Sequence, residues 1–129
     1  MAINDIDGDG DLDIFATAFN GGSVVWYENN GSQSFTKSTI ATLGAAYDVR
    51  VNDLDGDGDM DVIASGGAFV ADKMVWYAND GSQSFTENII DNSIDGPANF
   101  DVKDVDEDGD LALIAVSYTH LTLPTTPYV

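Results

Sequence analysis

Three short stretches of this chain hold most of its acid, and they are copies of one another. Asp5-Ile6-Asp7-Gly8-Asp9-Gly10-Asp11-Leu12-Asp13 is followed by Asp53-Leu54-Asp55-Gly56-Asp57-Gly58-Asp59-Met60-Asp61 and by a weaker copy, Asp104-Val105-Asp106-Glu107-Asp108-Gly109-Asp110-Leu111-Ala112. They contain 15 of the 23 Asp and Glu residues of a 129-residue chain whose formal net charge is −19. Carboxylates packed this closely repel one another unless a cation sits among them. The charge therefore reads as the chemistry of three sites, not as a solubilising tail.

The spacing says which cation. Positions 1, 3, 5 and 9 of each loop offer side-chain oxygens, position 7 its carbonyl, and the glycine at position 6 (Gly10, Gly58, Gly109) permits the sharp turn that wraps one hard ion. All-oxygen ligation, with no cysteine in the chain and no histidine nearby, favours Ca2+ over zinc or copper. The loop is not an EF-hand. Position 12, where an EF-hand needs a bidentate glutamate, falls on Ala16, Ala64 and Ala115, and apolar, partly β-branched runs follow where a helix should begin. The unit is strand, metal loop, strand.

The repeat extends beyond the loop. Val25 to Thr36 matches Val75 to Thr86, including Trp-Tyr-x-Asn and the glycine and phenylalanine that follow, so the period is close to 50 residues. Two extra residues in the second copy are expected between Ala68 and Lys73. Each unit reads as four strands. In the second these are Tyr47 to Asp53, Met60 to Ser65, Lys73 to Ala78 and Ser84 to Ile90; in the first they are Leu12 to Thr17, Ser23 to Glu28 and Ser34 to Ile40. Nothing has a clear helical period. Short antiparallel strands repeated four to a unit predict an all-β fold of β-propeller blades.

With these motifs in view, the sequence resembles FG-GAP/VCBS-type repeats, the blades of integrin-α-like and secreted bacterial propellers. The resemblance rests on Asp-x-Asp-x-Asp-Gly-x-x-Asp before an apolar strand, then Trp-Tyr-x-Asn-x-Gly-x-x-x-Phe, and covers residues 1–115 as units of about 1–46, 47–98 and a partial 99–115. It implies four-stranded antiparallel blades, about two and a half of them, an incomplete propeller. It also implies a structural calcium in each loop. Asp5, Asp7, Asp9 and Asp13 would be side-chain ligands with the Asp11 carbonyl, and Asp53, Asp55, Asp57 and Asp61 would repeat them with the Asp59 carbonyl. Asp104, Asp106 and Asp108 would do so with the Asp110 carbonyl. Ala112 replaces the last carboxylate, so the third site is expected to be weaker.

Residues 116–129 break the pattern. They carry no Asp, Glu, Lys or Arg, and Val116 to Thr125 resembles the translation of a transposase sequencing adapter, so the tail is read as non-native. The chain also starts almost directly in its first loop, and its natural start is expected to lie upstream. One ring of each Trp26-Tyr27 and Trp76-Tyr77 pair is expected between blades, since neighbours on a strand face opposite ways, and Phe35 and Phe85 are expected to pack within the blades.

The functional expectation is a non-catalytic, calcium-binding structural and recognition module of a larger secreted or cell-surface protein, with an extracellular protein or carbohydrate as partner. Four Lys and Arg residues exclude nucleic acid, and no apolar run reaches membrane-spanning length. The only histidine, His120, lies in the suspect tail, so a Ser-His-Asp arrangement is excluded. The alternatives are the propeller portion of a secreted carbohydrate-active enzyme whose catalytic residues lie outside this chain, and a purely structural stalk repeat.

Overall fold

The computed structural model describes residues 1–67, 72–96 and 98–117. Ten strands and no helix are found among them: β1 (Ala2–Asn4), β2 (Asp13–Ala18), β3 (Ser23–Asn29), β4 (Phe35–Thr42), β5 (Asp48–Asn52), β6 (Asp61–Gly66), β7 (Lys73–Asn79), β8 (Phe85–Asp91), β9 (Ala98–Lys103) and β10 (Ala112–Ser117). They form two four-stranded antiparallel sheets, β1-β2-β3-β4 and β5-β6-β7-β8, and a two-stranded β9-β10 sheet. These are propeller blades in an unclosed arc, as the repeat predicts.

Each acidic loop closes the hairpin between the first two strands of its blade. Asn4 pairs with Asp13, Asn52 with Asp61 and Lys103 with Ala112. The first blade has a strand that the sequence left unassigned: β1 is three residues long, too short for alternation to show, and its pairing with β2 defines it. Both complete blades carry the same irregularity, a register shift between Val24 and Val25 and between Met74 and Val75. The connection between second and third strands runs over residues 19–22 in the first blade and 67–72 in the second, two residues longer. That is where the sequence offset placed the insertion, although residues 68–71 lie outside those described.

Strand alternation gives every blade two faces, and the blades stack face to face. Phe15, Val24 and Trp26 on one side meet Val49, Val62, Val75 and Tyr77 on the other in the first core. The second core repeats the contact one blade on, with Ile63, Met74 and Trp76 meeting Phe100 and Val102. The tryptophan of each Trp-Tyr pair thus packs toward the following blade and the tyrosine toward the preceding one. Tyr77 is buried, while Tyr27, with no preceding blade among the described residues, is half-buried.

The same rule corrects one expectation. Phe85 packs against the first core, but Phe35, its equivalent, is exposed, because the face it shares with Tyr27 has no neighbouring sheet among the described residues. Two residues of the chain between the blades are also buried. Leu43 and Ala46 sit in the first core, and a Cβ on Gly66 would approach the Leu43 side chain to 2.8 Å and the Gly44 carbonyl to 3.0 Å, so the connection passes where only glycine leaves room.

Polar contacts reinforce the second stack. Asp48 is buried at the start of β5 and accepts hydrogen bonds from the Arg50 guanidinium (2.6 Å) and from the Phe100 N–H of the next blade (3.3 Å). Arg50 lies over the Phe100 ring, 5.6 Å from its centroid, a cation–π contact across the two blades. Beyond Ala115, β10 continues through Val116 and Ser117, paired with Asn99 and Ala98 by backbone bonds that any residue type can make. Residues 118–129 of the expected non-native tail lie outside those described.

Candidate metal centres

The loops fold around their own first carboxylate. Asp5 Oδ1 accepts the N–H groups of Gly8 (2.9 Å) and Asp9 (3.1 Å), and its Oδ2 accepts that of Gly10 (3.0 Å). Asp53 repeats the pattern with Gly56 (2.8 Å), Asp57 (3.1 Å) and Gly58 (2.9 Å). Asp9 and Asp57 each accept the N–H two residues on, at 2.8 and 2.9 Å. These bonds need a left-handed turn at position 6, where Gly10 has φ 93° and Gly58 φ 96°. A chain that winds this tightly turns its carboxylates inward.

They converge as triads. Asp5, Asp7 and Asp13 bring carboxylate oxygens within 4.8 Å of one another, as do Asp53, Asp55 and Asp57, and Asp104, Asp106 and Asp108. No Lys or Arg lies within the three loops. Burial, and then the neighbouring carboxylates, push Asp7 and Asp55 above the ordinary carboxylate value, against the opposing pull of the Asp9 and Asp57 backbone N–H groups. Oxygen donors in this number, lacking an internal counter-charge, fit a hard divalent cation.

Position 9 has a structural part of its own, and only in the first loop does it join the triad. Asp13 and Asp61 are fully buried. Asp13 accepts N–H bonds from Asn29 (2.8 Å) and Ile6 (3.4 Å), and Asp61 from Asn79 (2.9 Å) and Leu54 (3.0 Å). Each ties its loop to the end of the blade's third strand. Every carboxylate oxygen has a second lone pair, so the same groups remain able to ligate.

The asparagines at the far end of this tie are positioning residues that the sequence reading missed. Asn29 donates through Nδ2 to the Leu12 carbonyl (3.1 Å) and accepts the Gly31 N–H (3.1 Å). Asn79 donates to the Met60 carbonyl (3.0 Å) and accepts the N–H groups of Gly81 (3.1 Å) and Gln83 (3.0 Å). One side chain thus clamps the acidic loop to the turn between third and fourth strands. The signal was present as the shared Asn of Trp-Tyr-x-Asn, but a repeated asparagine before a glycine turn reads first as turn chemistry.

Asp11 and Asp59, expected to ligate by carbonyl, turn their carboxylates onto that same turn. A Cβ on Gly81 would lie 2.8 Å from Asp59 Oδ2, and one on Gly31 would come closer still to Asp11 Oδ2. The shared glycine is required by φ of 77° and 83° and by this approach.

The third loop is built to the same plan with fewer parts. Asp104 accepts the N–H groups of Asp108 (3.2 Å) and Gly109 (2.9 Å), and Asp108 that of Asp110 (2.9 Å). Glu107 stands where Gly8 and Gly56 stand and is held at φ 59°. Ala112 is exposed, and no third strand brings an asparagine to it among the described residues.

A stack of four-stranded antiparallel blades, each with an acidic loop clamped to its third strand, defines a β-propeller repeat protein. The FG-GAP-like repeat matches residues 5–64 and again residues 53–115, and the chain belongs to that family. Neither a search of curated proteins nor one of solved structures finds a match. Among the described residues, no helix is long and apolar enough to cross a membrane.

Proposed function

We propose that the chain is a calcium-loaded propeller module that serves a larger secreted or cell-surface protein as scaffold and recognition surface, with no catalysis of its own. The observation that carries the reading is the pairing of each converged triad with a loop whose backbone N–H groups already hold the carboxylates in place. Asp5, Asp7, Asp9 and Asp13 would hold one ion with the Asp11 carbonyl, and Asp53, Asp55, Asp57 and Asp61 a second with that of Asp59. Asp104, Asp106 and Asp108, with the Asp110 carbonyl, would hold a third more weakly. The ion would cancel the repulsion within each loop and fix the hairpin that sets two strands of the blade. An exported protein meets calcium at concentrations that weak sites can use, which supports an extracellular setting, and the propeller faces would offer loops to a protein or carbohydrate.

The test is a thermal melt of the full chain with calcium, with magnesium and with chelator. An ion that binds only the folded state adds about 2.7 kcal/mol at a hundredfold excess over Kd. The expected result is a calcium-specific rise in Tm that Asp7→Ala and Asp55→Ala each reduce. A cooperative melt indifferent to calcium would remove the metal from the reading.

A further inference from the structure

The turn between third and fourth strands of the first blade holds a motif that the acidic loops do not use. Asn30-Gly31-Ser32 is the one place in the chain where an asparagine is followed two residues on by serine or threonine with no proline between. That spacing is the acceptor pattern for N-linked oligosaccharide, and it calls for a surface loop. Every residue from Asn30 to Lys37 is exposed. The exposure belongs to the blade and not to the end of the chain. Asp80, Gly81 and Ser82 form the same turn in the second blade, which packs against a sheet on either side, and they are exposed as well. The Asn30 amide is also oriented for the reaction. Its Oδ1 accepts the Ser32 hydroxyl (2.7 Å) and the N–H groups of Ser32 (3.0 Å) and Ser34 (3.3 Å). Its Nδ2 donates to no group among the described residues. Asn29, one residue earlier, is the contrast: it is half-buried, and its Nδ2 is engaged by the Leu12 carbonyl.

We propose that Asn30 is the acceptor of an N-linked oligosaccharide, transferred from a polyprenyl-diphosphate donor. Nδ2 attacks the anomeric carbon of the first sugar. A nitrogen–carbon bond forms, the bond from that carbon to the diphosphate oxygen breaks, and one Nδ2 proton departs as the diphosphate leaves. The product is still an amide with its oxygen intact, so the three bonds that Oδ1 accepts survive the reaction. The sugar then stands beside the acidic loop, whose Asp11 carboxylate lies against Gly31, and clear of the residues through which blades stack. The second blade differs by one atom group. Asp80 accepts the same bonds from Ser82 and Ser84 but has no amide nitrogen to give. Such donors are met during export, so the inference rests on that part of the proposed function and not on the metal.

Transfer in vitro tests it. The purified full chain is incubated with an oligosaccharyltransferase that recognises Asn-x-Ser and with a polyprenyl-diphosphate oligosaccharide. An Asn-x-Ser peptide serves as control in the same reaction, and Trp26 and Trp76 fluorescence reports the fold. The intact mass is expected to rise by one oligosaccharide, mapped to Asn30 in a digest. Ser32→Ala, which keeps the asparagine, and Asn30→Asp, which copies the second blade, should each abolish the rise. Asp80→Asn writes Asn-Gly-Ser into the second blade and should bring the rise to two oligosaccharides. Asn30 and Asp80 already accept the same set of bonds, so both exchanges are expected to fold. The reaction uses purified chain, so its failure counts against the acceptor and not against export. Wild-type chain left unmodified beside a modified control peptide overturns the proposal. So does oligosaccharide that maps to another residue, that persists in Ser32→Ala, or that reaches Asn30 only in a chain that has lost its fold.

Discussion

The second and third acidic loops begin with the same Asp-x-Asp-x-Asp, and the difference between them lies almost entirely outside those carboxylates. The second loop ends in Asp61, buried under β7 and tied to Asn79. The third ends in Ala112, exposed, with no such strand beside it among the described residues. The second places glycine at its fourth position with φ 75°, whereas the third forces Glu107 to φ 59°. A converged triad of carboxylates is present in both. The acid that could hold an ion is therefore written locally, whereas the frame that keeps it in place is assembled from a strand some 18 residues away in sequence.

The strongest way to break the comparison is to make the second loop resemble the third. Asp61→Ala would strand the Leu54 and Asn79 N–H groups, each costing about 1–3 kcal/mol when buried without a partner, so a loss of about 3 kcal/mol is expected in denaturant unfolding. The reciprocal Ala112→Asp should change metal-free stability by less than about 0.5 kcal/mol, because nothing stands ready to bond the new carboxylate. A gain from Ala112→Asp as large as the loss from Asp61→Ala would refute the role given to β7.

Cutting the tie from its other end should cost less. Asn79→Ala removes one donated and two accepted hydrogen bonds while leaving Asp61 in place, and about 2 kcal/mol of stability is expected to go. Asn29→Ala, in a half-buried site with one accepted bond, should cost about 1 kcal/mol. The same melts measure both, and a reversed order would mean that burial is not what sets the value of the clamp.

The third loop can also be improved. A left-handed conformation costs a non-glycine residue about 1–2 kcal/mol, part of which glycine gives back by loosening the unfolded chain. Glu107→Gly is expected to stabilise by about 0.5–1 kcal/mol, and Gly56→Ala to destabilise by a similar amount.

The smallest effect separates the two clamped blades from each other. Their third-to-fourth strand turns are built alike, Asp80 accepting from Ser82 and Ser84 as Asn30 accepts from Ser32 and Ser34, but only one of them titrates. The Ser82 hydroxyl, then its N–H, holds Asp80 below the ordinary value of 3.8. A lowered folded pKa contributes stability that is complete above 3.8 and is lost as pH falls through the folded value. Carboxyl NMR titration should therefore find Asp80 below 3.8, and Ser82→Ala should move it back up.

Much of this was legible in the sequence. The Asp spacing located three loops, and the apolar, partly β-branched runs after them and the alternation before the second and third located the strands. The carboxylates that converge as triads are among those named from spacing alone, and each triad could hold a cation. What stayed hidden depends on neighbours. Phe35 and Phe85 are the same letter in the same motif, and only the presence or absence of an adjoining blade decides which is covered. Asp13 and Asp61 read as ligands, but their burial and their bonds to Asn29 and Asn79 arise from a hairpin closing far along the chain. β1 was lost for want of length.

The connection between the first two blades, anchored in the core by two of its residues, has a consequence for how the molecule comes apart. In a string of independent beads the linker is slack, and one bead opens without disturbing the next. Here Leu43 and Ala46 are themselves part of the first core, and the backbone joining the blades is bonded to both, Leu43 N–H to the Gly22 carbonyl (2.9 Å) and Tyr47 N–H to the Ser65 carbonyl (2.8 Å). Opening the first blade strips the wall from the second, so the two share one fate. In a nearest-neighbour stack, such a linker puts the stability in the joints rather than in the parts, and fraying has to start where a blade has only one neighbour.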